Sequence, residues 1–264
     1  MLRSFLGGEL FGEIFGVQPI KVLALHGWGR DHSDYAALLS KAADDKAAAL
    51  ASNCGILAPD LPGFGATPPP VTAWGSKEYA DLMARLLDSE AGEPVVVIGH
   101  SFGGRVAVRL AVSRPDLVRS LVLTGAPLVR TAQLGNSGKR RRKQGGVTLA
   151  YRLGRRLYKI GIISDDYMEK LRRKYGSYDY AHATGVMREI LVRQLGENYA
   201  DDLMGIACPT WLVWGMEDRE VPLEIAREVD KMIPGATLTE LPGVGHLVPV
   251  EAADALWKVA CKLL

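Results

Sequence analysis

The chain is short of the features that mark several protein classes. It has three cysteines, Cys54, Cys208 and Cys261, far apart in the sequence. An odd number with no Cys-x-x-Cys spacing suggests neither a disulfide framework nor a zinc knuckle, and it fits a reducing cytosol. No apolar stretch approaches the length of a membrane span. The formal net charge is only +2, which gives no global steering toward nucleic acid. There is no internal repeat and no long low-complexity linker. The apolar N-terminus is interrupted by Glu9 and Glu13, and no small-residue cleavage site follows it. A leading strand or hairpin fits that stretch better than a signal peptide.

What remains is the composition of one well-filled core. The chain has 264 residues, of which 48% are hydrophobic and 23% charged. That length buries one sizeable core, or one core with an insertion. Short apolar runs over 20–25, 55–60, 95–98, 118–123, 209–214 and 237–241 read as strands. Helical patterns over 35–51, 76–87, 103–112, 223–232 and 252–264 lie between and after them. Strands apolar on both faces and alternating with helices predict an α/β fold: a mostly parallel central sheet covered on both sides. The alternation stops between about 127 and 203, where the pattern is helical and tyrosine-rich. The predicted organisation is a core of 1–126 and 204–264 with a helical insertion of 127–203.

The insertion carries its own charge. It holds 16 Lys/Arg against 8 Asp/Glu, and the densest run is Lys139-Arg-Arg-Arg-Lys143. Such a run is most simply a solvated loop. The alternative is attraction of an anionic substrate, lipid or partner; nucleic acid is disfavoured because no recognition motif accompanies the charge.

Chemistry concentrates at Gly99-His100-Ser101-Phe102-Gly103. An apolar, β-branched run precedes it and a helical pattern follows, so Ser101 sits at the apex of a strand–turn–helix. That turn lifts a hydroxyl above the sheet edge, and the flanking glycines remove side chains where strand and helix converge. A serine hydroxyl is a poor nucleophile at neutral pH and needs a base, which in turn needs an orienting group. Of five histidines, His246 is the best placed. It follows the last strand in Pro242-Gly-Val-Gly-His-Leu-Val-Pro249, at the edge where ligand sites of open α/β sheets collect. Asp218 follows the 209–214 strand and can accept the second imidazole N–H; Glu217 and Glu220 are its rivals by position. Asp60 also ends a strand but opens a Pro-Gly turn, which reads as structural. For a developing oxyanion, the backbone N–H of Phe102 lies at a helix N-terminus. A second donor is expected from His26-Gly27-Trp28-Gly29, namely the Trp28 N–H.

These segments together resemble the α/β-hydrolase fold superfamily. The matching residues are His26-Gly27-Trp28-Gly29, Asp60-Leu-Pro-Gly-Phe-Gly65, Gly99-His100-Ser101-Phe102-Gly103-Gly104, Trp214-Gly215 to Asp218 with Val221-Pro222, and Gly245-His246. Serine, acid and histidine occur in the chain order of that family. The resemblance implies a sheet of eight strands or slightly fewer, a helical cap over about 127–203, and a Ser101–His246–Asp218 triad. It also implies hydrolysis of a small-molecule ester or acyl substrate through an acyl-enzyme, carboxylesterase-like, with no metal or organic cofactor. Family members with epoxide or haloalkane chemistry carry Asp at the nucleophile position, so Ser101 disfavours those reactions. Perhydrolysis, amide cleavage and carbon–carbon bond hydrolysis remain open on the same triad, as does a non-catalytic receptor or scaffold. Tyr175, Tyr178 and Tyr180, with Tyr151 and Tyr158, either line a pocket roof or pack cap on core. The basic cap predicts tolerance of anionic substrates, and a cytoplasmic location is expected.

Overall fold

The computed structural model describes residues 1–38, 53–129, 153–154, 156–158, 160–164, 166–168, 170–171 and 178–264. One sheet of eight strands organises them. In chain order these are β1 Arg3–Phe5, β2 Leu10–Gly16, β3 Ile20–Leu25, β4 Gly55–Asp60, β5 Val95–His100, β6 Val118–Thr124, β7 Thr210–Gly215 and β8 Thr237–Leu241. Their spatial order is β1-β2-β4-β3-β5-β6-β7-β8. β1 and β2 form an antiparallel hairpin, and β2 pairs antiparallel with β4. Every other pairing is parallel. The six strands expected from apolar runs are present, and the N-terminal stretch enters the sheet as the hairpin.

The parallel strands are apolar throughout because both faces are covered. On β3, Leu23 and Leu25 join one core cluster, while Val22 and Ala24 join the other. The period of two along a strand sends neighbours to opposite faces. The first face packs on α1 (Ser76–Glu90), α2 (Phe102–Ser113) and, further along, α6 (Leu223–Met232). The second packs on Tyr35 and on the C-terminal helix around Leu256 and Trp257. The helix expected over 252–264 is present as α8 (Ala253–Cys261), and a separate single turn, α7 (Val248–Glu251), precedes it across Ala252, which leaves helical geometry at φ −139° and ψ 44°. Of the helix expected over 35–51, residues 39–51 lie outside the described residues.

Between β6 and β7 the described secondary structure is helical: α3 (Tyr178–His182), α4 (Gly185–Gly196) and α5 (Ala200–Gly205). This segment returns to the core through a polar knot. Glu197 accepts from the Ser76 backbone N–H at 2.9 Å and from Ser76 Oγ at 2.6 Å. Tyr199 also donates to Glu197 and is buried there. Arg109 reaches Asp202 at 2.7 Å and stands 4.9 Å over the Tyr199 ring. Arg105, one helical turn beyond Ser101, donates to Gln194 O at 2.7 Å and to Pro127 O at 3.1 Å. One guanidinium thus ties the helix behind the serine to both ends of the segment.

Candidate active site

Ser101 joins β5 to α2 at φ 50° and ψ −111°. For a side chain with a Cβ, that backbone is strained, and it persists because its surroundings fix it. The Ser101 amide donates to Thr124 O at 2.9 Å, and Gly104 N donates back to Ser101 O at 3.1 Å. The turn also needs bare backbone beside it. A Cβ on Gly103 would stand 2.2 Å from Leu25 O, and one on Gly99 would stand 2.7 Å from Gly104 Cα. The glycines therefore let α2 drop onto the ends of β3 and β5, as their positions in the motif suggested.

Asp218 and His246 meet at the same sheet edge. His246 Nδ1 lies 2.8 Å from Asp218 Oδ2. Asp218 Oδ1 accepts from the amides of Glu220 at 2.9 Å and Val221 at 2.8 Å, which aims the other oxygen at the ring. Trp214 Nε1 braces that turn by donating to Val221 O at 2.9 Å. The two loops are zipped together: Glu217 N donates to Val244 O at 2.9 Å, and a Cβ on Gly215 would stand 2.1 Å from Gly245 O. Burial opposes a charge on His246, but its hydrogen bond to Asp218 and the charges of Asp218, Glu220 and Glu251 outweigh it. The net effect raises its pKa. The rival Glu220 does not take Nδ1; its Oε2 lies 3.6 Å from Nε2, within ion-pairing range of a protonated ring. His246 also packs against Gly125, the residue after the acceptor of the Ser101 amide, where a Cβ would stand 2.8 Å from His246 Cε1. Ser101 Oγ makes no hydrogen bond among the described residues. Contacts of this kind commonly close only when substrate is bound.

Two further histidines are built into the frame. His100 is buried with its ring centroid 4.9 Å from that of His246. Burial, reinforced by the neighbouring His246, pushes its pKa down to about 3, so it stays neutral and donates Nδ1–H to Thr124 O at 3.2 Å. His26 is also buried, and burial lowers its pKa. Its Nδ1 lies 2.7 Å from Gly27 O and its Nε2 accepts from Leu61 N at 2.9 Å. That ring clips the Gly27-Trp28 loop to the turn after β4. Among the described residues, the Trp28 and Phe102 amides have no acceptor.

Sequence reasoning missed Glu251. One carboxylate oxygen accepts from Gly245 N at 2.7 Å and the other from Leu247 N at 3.0 Å. Both neighbours of His246 are therefore held by one side chain, and an acid five residues past a loop histidine is the only trace in the sequence. Asp179 was missed as well. It lines a cavity of about 120 Å³ with Trp28, Ser101, Phe102, Arg105 and Pro127. Burial, with Glu220 nearby, raises the Asp179 pKa, while His246 pulls it down. A larger cavity of about 450 Å³ adjoins through Arg105, Pro127 and Leu195 and reaches Glu220. Of the tyrosines named for the pocket, Tyr175 lies outside the described residues, and Tyr178 begins α3. Tyr180 is half-buried with the Arg188 guanidinium 5.4 Å over its ring. Asp60 is structural, accepting from His32 N at 2.9 Å and Ala66 N at 2.8 Å. With Asp31 and His32 it could offer three metal-ligating atoms, all within 4.8 Å of one another. Those carboxylates already take backbone and side-chain donors, since Asp31 is bound to Ser33 N at 2.9 Å and Asp60 to His32 Nδ1 at 2.7 Å.

Chemically, the site offers an exposed-edge serine, an oriented imidazole and two unpaired amides. Comparison with known proteins agrees in kind. A model of the Alpha/beta hydrolase family matches residues 22–259. The chain is 27% identical over 220 residues to a 2-hydroxy-6-oxononadienedioate/2-hydroxy-6-oxononatrienedioate hydrolase from a Pseudomonas species, covering 75% of this chain and 73% of that one. It is 27% identical over 219 residues to the hydrolase YugF of Bacillus subtilis, covering 76% and 77%. A thermophilic esterase from Thermogutta terrifontis superposes with a TM-score of 0.65 at 22% identity, covering 98% of this chain and 94% of that one. A serine hydrolase involved in carbazole degradation gives 0.67 at 19% identity, covering 100% and 98%.

Proposed function

The chain belongs to the alpha/beta hydrolase family, and from that premise we propose that it is a serine hydrolase cleaving an ester or related acyl bond of a small molecule. The observation that carries this reading is the Asp218–His246 hydrogen bond at 2.8 Å, formed at the sheet edge where Ser101 holds its strained turn. Ser101 Oγ attacks the acyl carbonyl and His246 Nε2 takes its proton. Asp218 fixes the proton on Nδ1 and stabilises the imidazolium. The Phe102 and Trp28 amides receive the oxyanion, worth about 3 kcal/mol each at the transition state. His246 then returns the proton to the leaving group, and water releases the acyl group by the same steps in reverse. Residues 127–203 serve as a cap that sets specificity, with Arg105 and Asp179 as the charged groups lining the cavity beside the serine.

The test is hydrolysis of short p-nitrophenyl esters together with the intact mass after treatment with a fluorophosphonate. One adduct is expected, lost in Ser101→Ala. An adduct retained by that variant would sink the assignment.

A second reading keeps the same residues and breaks a carbon–carbon bond. It is favoured by the Pseudomonas relative, whose named substrate has ketone, enol and carboxylate groups but no ester. Screening a keto-dienoate beside the p-nitrophenyl esters separates the two by relative kcat/KM.

A further inference from the structure

The basic segment finds no role in the chemistry at Ser101, and its described part has an unusual surface. Residues 139–174 contain thirteen Lys/Arg and three Asp/Glu, so this short stretch is strongly cationic in a chain whose net charge is +2. Leu153, Gly154 and Arg156–Tyr158 are helical, and helix resumes at Asp166–Met168. The first run closes at Gly161, φ +73°, where Gly161 N donates to Tyr158 O at 3.0 Å and Ile162 N to Leu157 O at 2.9 Å. That pair of bonds is a Schellman closure, which turns the chain sharply and fixes the directions of the residues on either side.

The inner side of this corner is packed. Met168 is buried, and Gly154 sits so close to Leu171 that a Cβ would stand 2.3 Å from Leu171 Cδ1. The outer side is apolar and bare. Ile160 is 68% exposed and Ile162 65% exposed, with Leu153 and Tyr167 also more than half exposed. In a Schellman closure the residue after the glycine ordinarily covers the preceding turn; here Ile162 points that area at solvent instead. Arg156 and Lys170 stand exposed on the flanking turns.

Two exposed isoleucines on a defined corner, an exposed tyrosine in the next helical turn, Arg156 and Lys170 on the flanking turns and a sequence segment dense in Lys and Arg match what an anionic bilayer surface recognises. The apolar groups gain by leaving water, the tyrosine suits the headgroup level, and each Lys or Arg gains from lipid phosphate. We propose that the corner around Gly161 docks on an anionic phospholipid surface, with Ile160 and Ile162 entering the boundary between headgroups and acyl chains. Charge selects this occupant over a second copy, because two such segments facing each other would repel. The inference does not depend on which bond Ser101 attacks.

The experiment is co-sedimentation of the full chain with extruded vesicles of phosphatidylcholine alone or with about 30% phosphatidylglycerol. Binding is expected only to the anionic vesicles, weakening at least about tenfold between roughly 0.05 M and 0.5 M salt as screening grows. Ile160→Ser/Ile162→Ser is expected to lower the partition at least about tenfold through lost apolar burial, with hydrolysis of a soluble ester unchanged. Ile162→Trp should shift its emission to the blue with anionic vesicles alone. Absence of binding, or binding by the double serine variant equal to wild type, overturns the proposal. So does sedimentation velocity showing a dimer that this variant dissociates while vesicle affinity is nil.

Discussion

Asp218 holds His246 with one oxygen and is itself held by the other. Oδ2 lies 2.8 Å from Nδ1, while Oδ1 accepts two consecutive-turn amides, those of Glu220 and Val221. The carboxylate cannot rotate without breaking three hydrogen bonds, so the imidazole is presented in a single tautomer. An amide at this position would keep the shape and offer Nδ1 the wrong group. Asp218→Asn is therefore expected to lower kcat by about 10³–10⁴-fold, with a much smaller change in KM. Steady-state kinetics on a p-nitrophenyl ester measures it; a loss under about tenfold would assign the orienting role elsewhere.

His246 has a raised pKa because its negative neighbours outweigh its burial. The base works only when neutral, so kcat/KM should rise with pH through the His246 pKa of the free enzyme, above the ordinary histidine value. Glu220 contributes part of that shift from 3.6 Å. Glu220→Gln removes one negative charge and destabilises the imidazolium. Its acid limb should move to lower pH while the plateau stays within about threefold, since no transition-state contact is lost. A pH–rate profile of both proteins decides, and an acid limb that is unmoved or moved upward contradicts the assignment.

Gly103 is where the helix behind the nucleophile touches the strand bearing the oxyanion loop. Its N–H donates to His26 O at 3.0 Å, and an added Cβ would lie 2.2 Å from Leu25 O. Backbone cannot yield as a flexible side chain does. Gly103→Ala should cost about 2–4 kcal/mol of stability by overpacking. Chemical denaturation should show a lower midpoint with little change in slope, and a loss below about 0.5 kcal/mol would mean that α2 and β3 separate easily.

Much of this site was written locally. The strand runs ending at Leu25, His100 and Gly215 carry their own β-branched and apolar signal, and a strand end followed by a helix start places a residue at the sheet edge. Ser101, Asp218 and His246 each sit at such a junction, which is why three positions far apart in sequence pointed to one edge. The single helical turn Val248–Glu251 was less legible, because it follows the histidine loop directly and only the packing of Val248 against the core reveals it.

Glu251 and Asp179, and the partner that His26 takes, belong to a different class. No sequence neighbourhood marks Glu251 or Asp179 among other polar residues near a turn, and none shows what the His26 ring meets. Glu251 matters because a helix folds it back onto the two amides flanking His246, and His26 because Leu61 arrives from another strand to meet its Nε2. Asp179 faces the serine only after the return of the segment through Glu197 and Tyr199 has fixed where that helix lies. The sequence by itself determined the strand and helix order, the glycine-flanked serine turn and the two loops whose Asp218 and His246 meet at the same sheet edge, because periodicity and turn chemistry act within a few residues. The tertiary structure alone decided which oxygen of Asp218 meets His246, which acid faces Nε2, and which charges stand at the cavity. Those relations depend on distances between chain segments that are remote in sequence, and only the packed sheet brings them within hydrogen-bond range.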